Sequence, residues 1–92
     1  MDADRVHRRL IVRGRVQGVF YRDSTREQAL REGVSGWAAN RADGTVEVVL
    51  EGTTEAVAAV TGFCRNGPRG ARVDHVEASE RAPEGLRGFE IR

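Results

Sequence analysis

Leu10-Ile11-Val12-Arg13-Gly14-Arg15-Val16-Gln17-Gly18-Val19-Phe20-Tyr21-Arg22 passes from an apolar run, through a turn flanked by glycines, into a polar segment. From about Val6 to Arg13 the residues suit a first strand, with Leu10 and Val12 on one face and Arg9, Ile11 and Arg13 on the other. Gly14 to Val19 reads as the turn, and a helix is expected from Tyr21 to Glu32, stopped by Gly33. Strand, turn and helix start together form an anion site. Glycines let consecutive main-chain N–H groups converge, and the first helical turn leaves its N–H groups without intrahelical partners. Arg22, opening that helix, offers a planar fork to two phosphate oxygens at once. The stretch is neither G-x-x-x-x-G-K-[ST] nor G-x-G-x-x-G, since Gly14 and Gly18 are spaced otherwise. On spacing alone it fits a tight turn with a surface arginine equally well, because glycine turns before helices are common.

Outward from this stretch, Val34 to Asn40 reads as a second strand carrying Trp37, and Arg41-Ala42-Asp43-Gly44 as a hairpin turn. Thr45 to Glu51 is the third strand, with Val46, Val48 and Leu50 facing one way and Glu47 and Glu51 facing solvent. Gly52 ends it, and Thr53 or Thr54 caps a second helix whose stripe is Ala56, Val57, Val60, Phe63 and Cys64. Gly67-Pro68 stops that helix. A fourth strand follows from Ala71 to about Glu80, where Val73 and Val76 break strict alternation and indicate a bulge. Pro83 to Gly88 is a loop and Phe89 to Arg92 a short closing strand. The first helix has a thin apolar face, with Tyr21, Thr25 and Ala29 only roughly aligned.

The order β-α-β-β-α-β predicts an α+β, ferredoxin-like split βαβ sandwich, an antiparallel sheet with both helices on one face. A helical crossover makes the first two strands parallel, so their C-terminal ends share one edge of the sheet. The turn up to Val19 and Asn40, about twenty residues apart, are therefore expected side by side. Ligands favour the corresponding edge in open α/β sheets, an analogy of topology.

Ninety-two residues at 39% hydrophobic and 32% charged content describe a single domain over 1–92, with Met1 to Arg5 loose. A formal net charge of +1 creates no field that would draw nucleic acid or an acidic membrane. All fifteen basic residues are arginine, which excludes lysine-dependent chemistry. Cys64 stands alone, with no disulfide partner and no zinc quartet, and reads as a small core residue rather than a catalytic thiol. Neither a signal-peptide core nor a membrane-length apolar run is present. A cytoplasmic monomer without metal or cofactor is the expectation.

Asn40 carries a donor and an acceptor, so it can hold a water molecule in one orientation, yet it is no base at neutral pH. Read alone, it simply begins a turn, where asparagine is favoured. His7 and His75 are surface or packing residues, and Asp23, Asp43, Glu47 and Glu51 read as helix-start, turn and solvent-face carboxylates. An anion cradle, an arginine clamp and a water-holding amide, with no base or metal, suffice only for an activated substrate. Phosphate monoesters expel a poor alkoxide and usually need a metal or a nucleophile. An acyl phosphate expels a carboxylate, and positioning with charge stabilisation is then enough.

The residues resemble the acylphosphatase family. Gly14-Arg15-Val16-Gln17-Gly18-Val19-Phe20-Tyr21-Arg22 is similar to its first signature, in which the position of Tyr21 is more often Phe. Gly36-Trp37-Ala38-Ala39-Asn40, then Asp43-Gly44, Val46-Glu47 and Glu51-Gly52, is similar to its second, and Gly67-Pro68, Ala71, Val73, Val76 and Gly88-Phe89-Glu90-Ile91 fit the remainder. The resemblance implies hydrolysis of a small acyl phosphate to a carboxylate and inorganic phosphate. It further implies that main-chain N–H groups of Arg15, Val16, Gln17, Gly18, Val19, Phe20 and Tyr21 and the Arg22 guanidinium bind the phosphate. Asn40 then orients the attacking water, whose proton passes to the substrate phosphate. Tyr21 needs a partner for its hydroxyl unless it reaches solvent. Two other readings compete. One is a non-catalytic ferredoxin-like module holding a phosphorylated ligand or RNA, for which Trp37 alone is well placed in a strand. The other is the leading module of a larger carbamoyl-transferring maturation protein.

Overall fold

A computed structural model describes residues 4–92. Its elements are β1 (Arg5–Arg15), α1 (Tyr21–Glu32), β2 (Ser35–Asn40), β3 (Val46–Thr53), α2 (Thr54–Asn66), β4 (Arg72–Arg81) and β5 (Phe89–Ile91). The βαββαβ order is the expected split βαβ sandwich. Met1 to Ala3 lie outside the described residues, but Arg5, expected to be loose, pairs with Thr53. The main-chain oxygen of Asp4 also accepts both the N–H and the hydroxyl of Thr54.

The sheet runs β4-β1-β3-β2-β5. β1 is antiparallel to β3 and to β4, and β2 is antiparallel to β3, so β1 and β2 run parallel as the crossover requires. One pairing departs from an all-antiparallel sheet: β5 runs parallel to β2. The reason lies in the route of the chain. After β4, at one edge, residues 82–88 pass along a single end of the sheet to the opposite edge. The returning strand must then run against β4 and therefore with β2.

Both helices cover one face, where alternation along the strands supplies Leu10, Val12, Val46, Val48 and Leu50, each fully buried. Each such side chain contributes roughly 1.5–3 kcal/mol of burial. From α1 come Tyr21, Thr25 and Ala29, one every fourth residue, while Leu30 remains 56% exposed. The thin apolar face is thus a true one, a single narrow row on an otherwise polar helix. α2 is capped by the Thr53 hydroxyl, which accepts the N–H of Ala56, and buries Val57, Val60, Thr61 and Cys64. Desolvation pushes the Cys64 thiol up to about 11, which keeps it protonated and inert in the core.

Strand β1 is longer than its apolar run. It continues through Gly14 and Arg15, opposite Val73 and Arg72, and its register shifts between Arg13 and Gly14. Asp74 is the extra residue of the expected bulge. Gly14 sits at φ +135, and a Cβ there would collide with the carbonyl oxygen of Arg72. Only glycine carries the strand past this point.

The helix-free face corrects another expectation. Glu51 is not a solvent-face carboxylate but is fully buried. The N–H groups of Glu84, Gly85 and Leu86 donate to it at 2.9, 2.7 and 3.2 Å. His7 Nδ1 and Arg5 complete the set at 2.9 and 3.4 Å. Burial pushes this carboxyl up, but the donors, led by the Glu84 N–H and His7, outweigh it and hold the pKa at about 2. Glu51 thereby fastens the crossing loop to the sheet, and with it the start of β5.

Candidate active site

Residues 16–20 connect β1 to α1 across the sheet edge at which both β1 and β2 end. A cavity of about 280 Å³ opens there. Val16, Gly18 and Phe20 line it from the loop, Tyr21, Arg22 and Asp23 from the first turn of α1, and Asn40 from the last position of β2. The expected meeting of loop, arginine and carboxamide is therefore present in one cavity. Among the described residues, the main-chain N–H groups of Val16 to Phe20 meet no protein acceptor.

The fold brings the loop to Asn40 by a brace that its composition did not announce. Gln17 Nε2 donates to the carbonyl oxygens of Arg41 and Thr45, at 2.8 and 2.9 Å, on the hairpin that follows Asn40. That hairpin is closed by Arg41 N–H to Thr45 O and Gly44 N–H to Arg41 O. Asp43 accepts the Thr45 hydroxyl and N–H through one oxygen, which lowers its pKa. The side chain of Gln17 thus holds the hairpin rather than lining the cavity. Arg15 stands in β1 and Val19 packs against the core, so neither lines it.

Tyr21 is buried, and its hydroxyl donates to the Cys64 carbonyl at 2.7 Å. In a continuing helix that carbonyl would receive the N–H of the residue four positions on, which here is Pro68 and has none. Gly67 N–H still reaches Phe63 O, and the next carbonyl takes the tyrosine hydroxyl instead. Desolvation raises the Tyr21 pKa far above its ordinary value, so the group stays a donor. The substitution of Tyr for the commoner Phe in the signature is accounted for by this partner.

Arg22 is half-buried, and its Nη1 donates to the main-chain oxygen of Arg92 at 2.8 Å. The residue just beyond β5 thus orients the guanidinium at the cavity. Asp23, expected as a helix-start carboxylate, lines the cavity too. Neither histidine does: His7 is buried against Glu51 and His75 is exposed on β4. Trp37 carries the Arg92 guanidinium 4.4 Å from its ring centroid, so that ring face already has a cationic partner. Among the described residues, no group of three or more His, Cys, Asp or Glu is disposed to hold a metal ion. None of their helices is long and apolar enough to cross a membrane.

Residues 8–91 match the family model described as Acylphosphatase. The chain belongs to the acylphosphatase family. It is 56% identical over 85 residues to an acylphosphatase of Rubrobacter xylanophilus, covering 91% of this chain and 77% of that one. It is 48% identical over 90 residues to an acylphosphatase of Natronomonas pharaonis, covering 98% of each. The crystal structure of acylphosphatase from Bacillus subtilis superposes with a TM-score of 0.91 at 35% identity, over 95% of this chain and 98% of that one. Full-length HypF contains a similar unit, at a TM-score of 0.88 but 21% identity over 12% of its chain, a likeness of fold alone. Membership in the acylphosphatase family supports a hydrolytic function for this chain.

Proposed function

We propose that the chain hydrolyses acyl phosphates to a carboxylate and inorganic phosphate, by direct attack of water and without a metal, cofactor or covalent intermediate. The loop N–H groups from Val16 to Phe20, with those opening α1, cradle the phosphate, and the Arg22 guanidinium clamps it. The Asn40 carboxamide holds the attacking water. The water's proton passes to a phosphate oxygen, the P–O bond to the acyl group breaks, and its electron pair leaves with the carboxylate. The site need supply only orientation and charge stabilisation, because the leaving group is already a weak base. Arg15, whose N–H was also expected in the cradle, is left to strand pairing in this reading. The chain acts as a single-domain monomer on a small soluble substrate.

One observation carries this reading: a single cavity is lined by the loop, by Arg22 and by Asn40. The test is turnover of acetyl phosphate in excess chelator, where dependence on added metal counts against the mechanism. Asn40→Ala is expected to lower turnover by roughly 10²-fold, the scale of one preorganised polar group, while inorganic phosphate still inhibits. Arg22→Ala is expected to weaken both turnover and phosphate inhibition. Loss of turnover alone would remove Arg22 from phosphate binding.

A further inference from the structure

Phe20 stands at the cavity with 78% of its surface exposed. Among the described residues it is the only non-glycine at positive φ, at φ 60 and ψ 27. A side chain with a Cβ is disfavoured there, and a bulky one more so. The turn itself asks only for a residue that tolerates this conformation and offers a carbonyl to the Ser24 N–H at 3.0 Å, and glycine or asparagine would serve with less strain. The core asks nothing of Phe20 either, for it is not among the residues packed there. Neither backbone nor packing explains a large apolar ring at the mouth of a cavity that also presents Arg22, Asp23 and Asn40.

We propose that the Phe20 ring is the surface that receives the acyl group, and that it directs the site toward uncharged, apolar acyl phosphates, aromatic ones above all. The inference rests on the hydrolysis reading. A phosphate held by the loop N–H groups and Arg22 leaves its acyl group outside the cradle, on the side of solvent, where Phe20 is found. An aromatic acyl group covers that ring face, and both surfaces lose water. Asp23 lines the same cavity, and its carboxylate disfavours an acyl group that carries a second negative charge. Arg22, already engaged by the phosphate, has no further charge to offer such a group.

The experiment compares kcat/KM for benzoyl phosphate and acetyl phosphate in the unmodified protein, Phe20→Asn and Phe20→Tyr. Asparagine tolerates the left-handed backbone, and tyrosine keeps the ring. In Phe20→Asn the benzoyl-to-acetyl ratio is expected to fall about tenfold, mainly through KM, the order of one aromatic contact. In Phe20→Tyr it is expected to hold. A ratio unmoved in Phe20→Asn, or lowered as much in Phe20→Tyr, overturns the inference while leaving hydrolysis standing. Turnover of neither substrate by the unmodified protein overturns both. A measurement without substitutions guards against misfolded variants: phenylphosphonate should inhibit the unmodified protein about tenfold more tightly than methylphosphonate, and equal inhibition again overturns the role of Phe20.

Discussion

Two loops of this molecule use main-chain N–H groups in opposite ways. Residues 84–86 direct three consecutive N–H groups onto the Glu51 carboxylate, an anion the fold itself provides. The main-chain N–H groups of residues 16–20 meet no protein acceptor among the described residues, and three of these residues line a cavity together with Arg22 and Asn40. The same physical device, a turn that offers main-chain N–H groups to an anion, serves architecture in one loop and, in the proposed function, recognition of phosphate in the other. What separates them is whether a neighbouring strand carries a carboxylate into the turn. β3 places Glu51 under the first loop, whereas the second meets the ends of β1 and β2, where the neutral amide Asn40 stands. Changes at the first loop should therefore register in stability, and changes at the second in turnover.

The strongest way to break this contrast is to remove the internal anion. Glu51→Gln replaces an acceptor oxygen with an amide donor that faces the N–H groups of loop 84–86, and should destabilise the fold by about 3 kcal/mol, read by urea denaturation. Acid does the same reversibly. The folded carboxyl titrates at about 2, against 4.5 for an unperturbed glutamate. Its stabilisation is therefore complete above about pH 4.5 and is lost as pH falls toward 2. Glu51→Gln should flatten the loss of stability across that window, and an unchanged slope would detach Glu51 from loop 84–86.

Tyr21 sharpens the comparison, because the residue borders the cavity while its side chain is buried in the core and its hydroxyl serves the end of α2. Tyr21→Phe leaves the Cys64 carbonyl without its donor and should cost about 1–2 kcal/mol, with turnover close to unchanged because the lost hydroxyl is bonded to Cys64 rather than to the cavity. The smallest effect belongs to Gln17→Ala. The carbonyls it braces can turn to water, so stability should change by less than about 1 kcal/mol. Turnover should still fall several-fold as the loop loses its fixed distance from Asn40, which kinetics with acetyl phosphate would measure. Equal losses of stability and turnover in all three variants would erase the distinction between the loops.

Much of this is legible in the chain. The bounds of α1 follow from Tyr21 and Gly33, the bulge from Val73 and Val76, and the nearness of Asn40 to the loop from the handedness and direction that a crossover helix imposes. Two of the misses share a cause. Alternation says which face a residue occupies but not what later covers that face, so Glu51 reads as a solvent carboxylate although residues 84–86 close over it. The parallel pairing of β5 depends on the same polar, aperiodic loop and is hidden with it. Arg15 reads as part of the turn because Gly14 looks like its start. The glycine is instead what lets β1 pass Arg72 without a Cβ in the way. Pro68 announces an orphan carbonyl four residues before it, but nothing in one sequence says that the Tyr21 hydroxyl will fill it.

The bond from Tyr21 to the end of α2 also bears on how the cavity meets a ligand. A proline deprives one helix of its last donor, and the other helix supplies it from a residue that also borders the cavity. The start of α1 is thus clamped from the protein's interior before any substrate arrives. Under the proposed function, a phosphate entering there finds a preorganised surface, and the entropy of setting that helix end in place is met by folding instead of by binding.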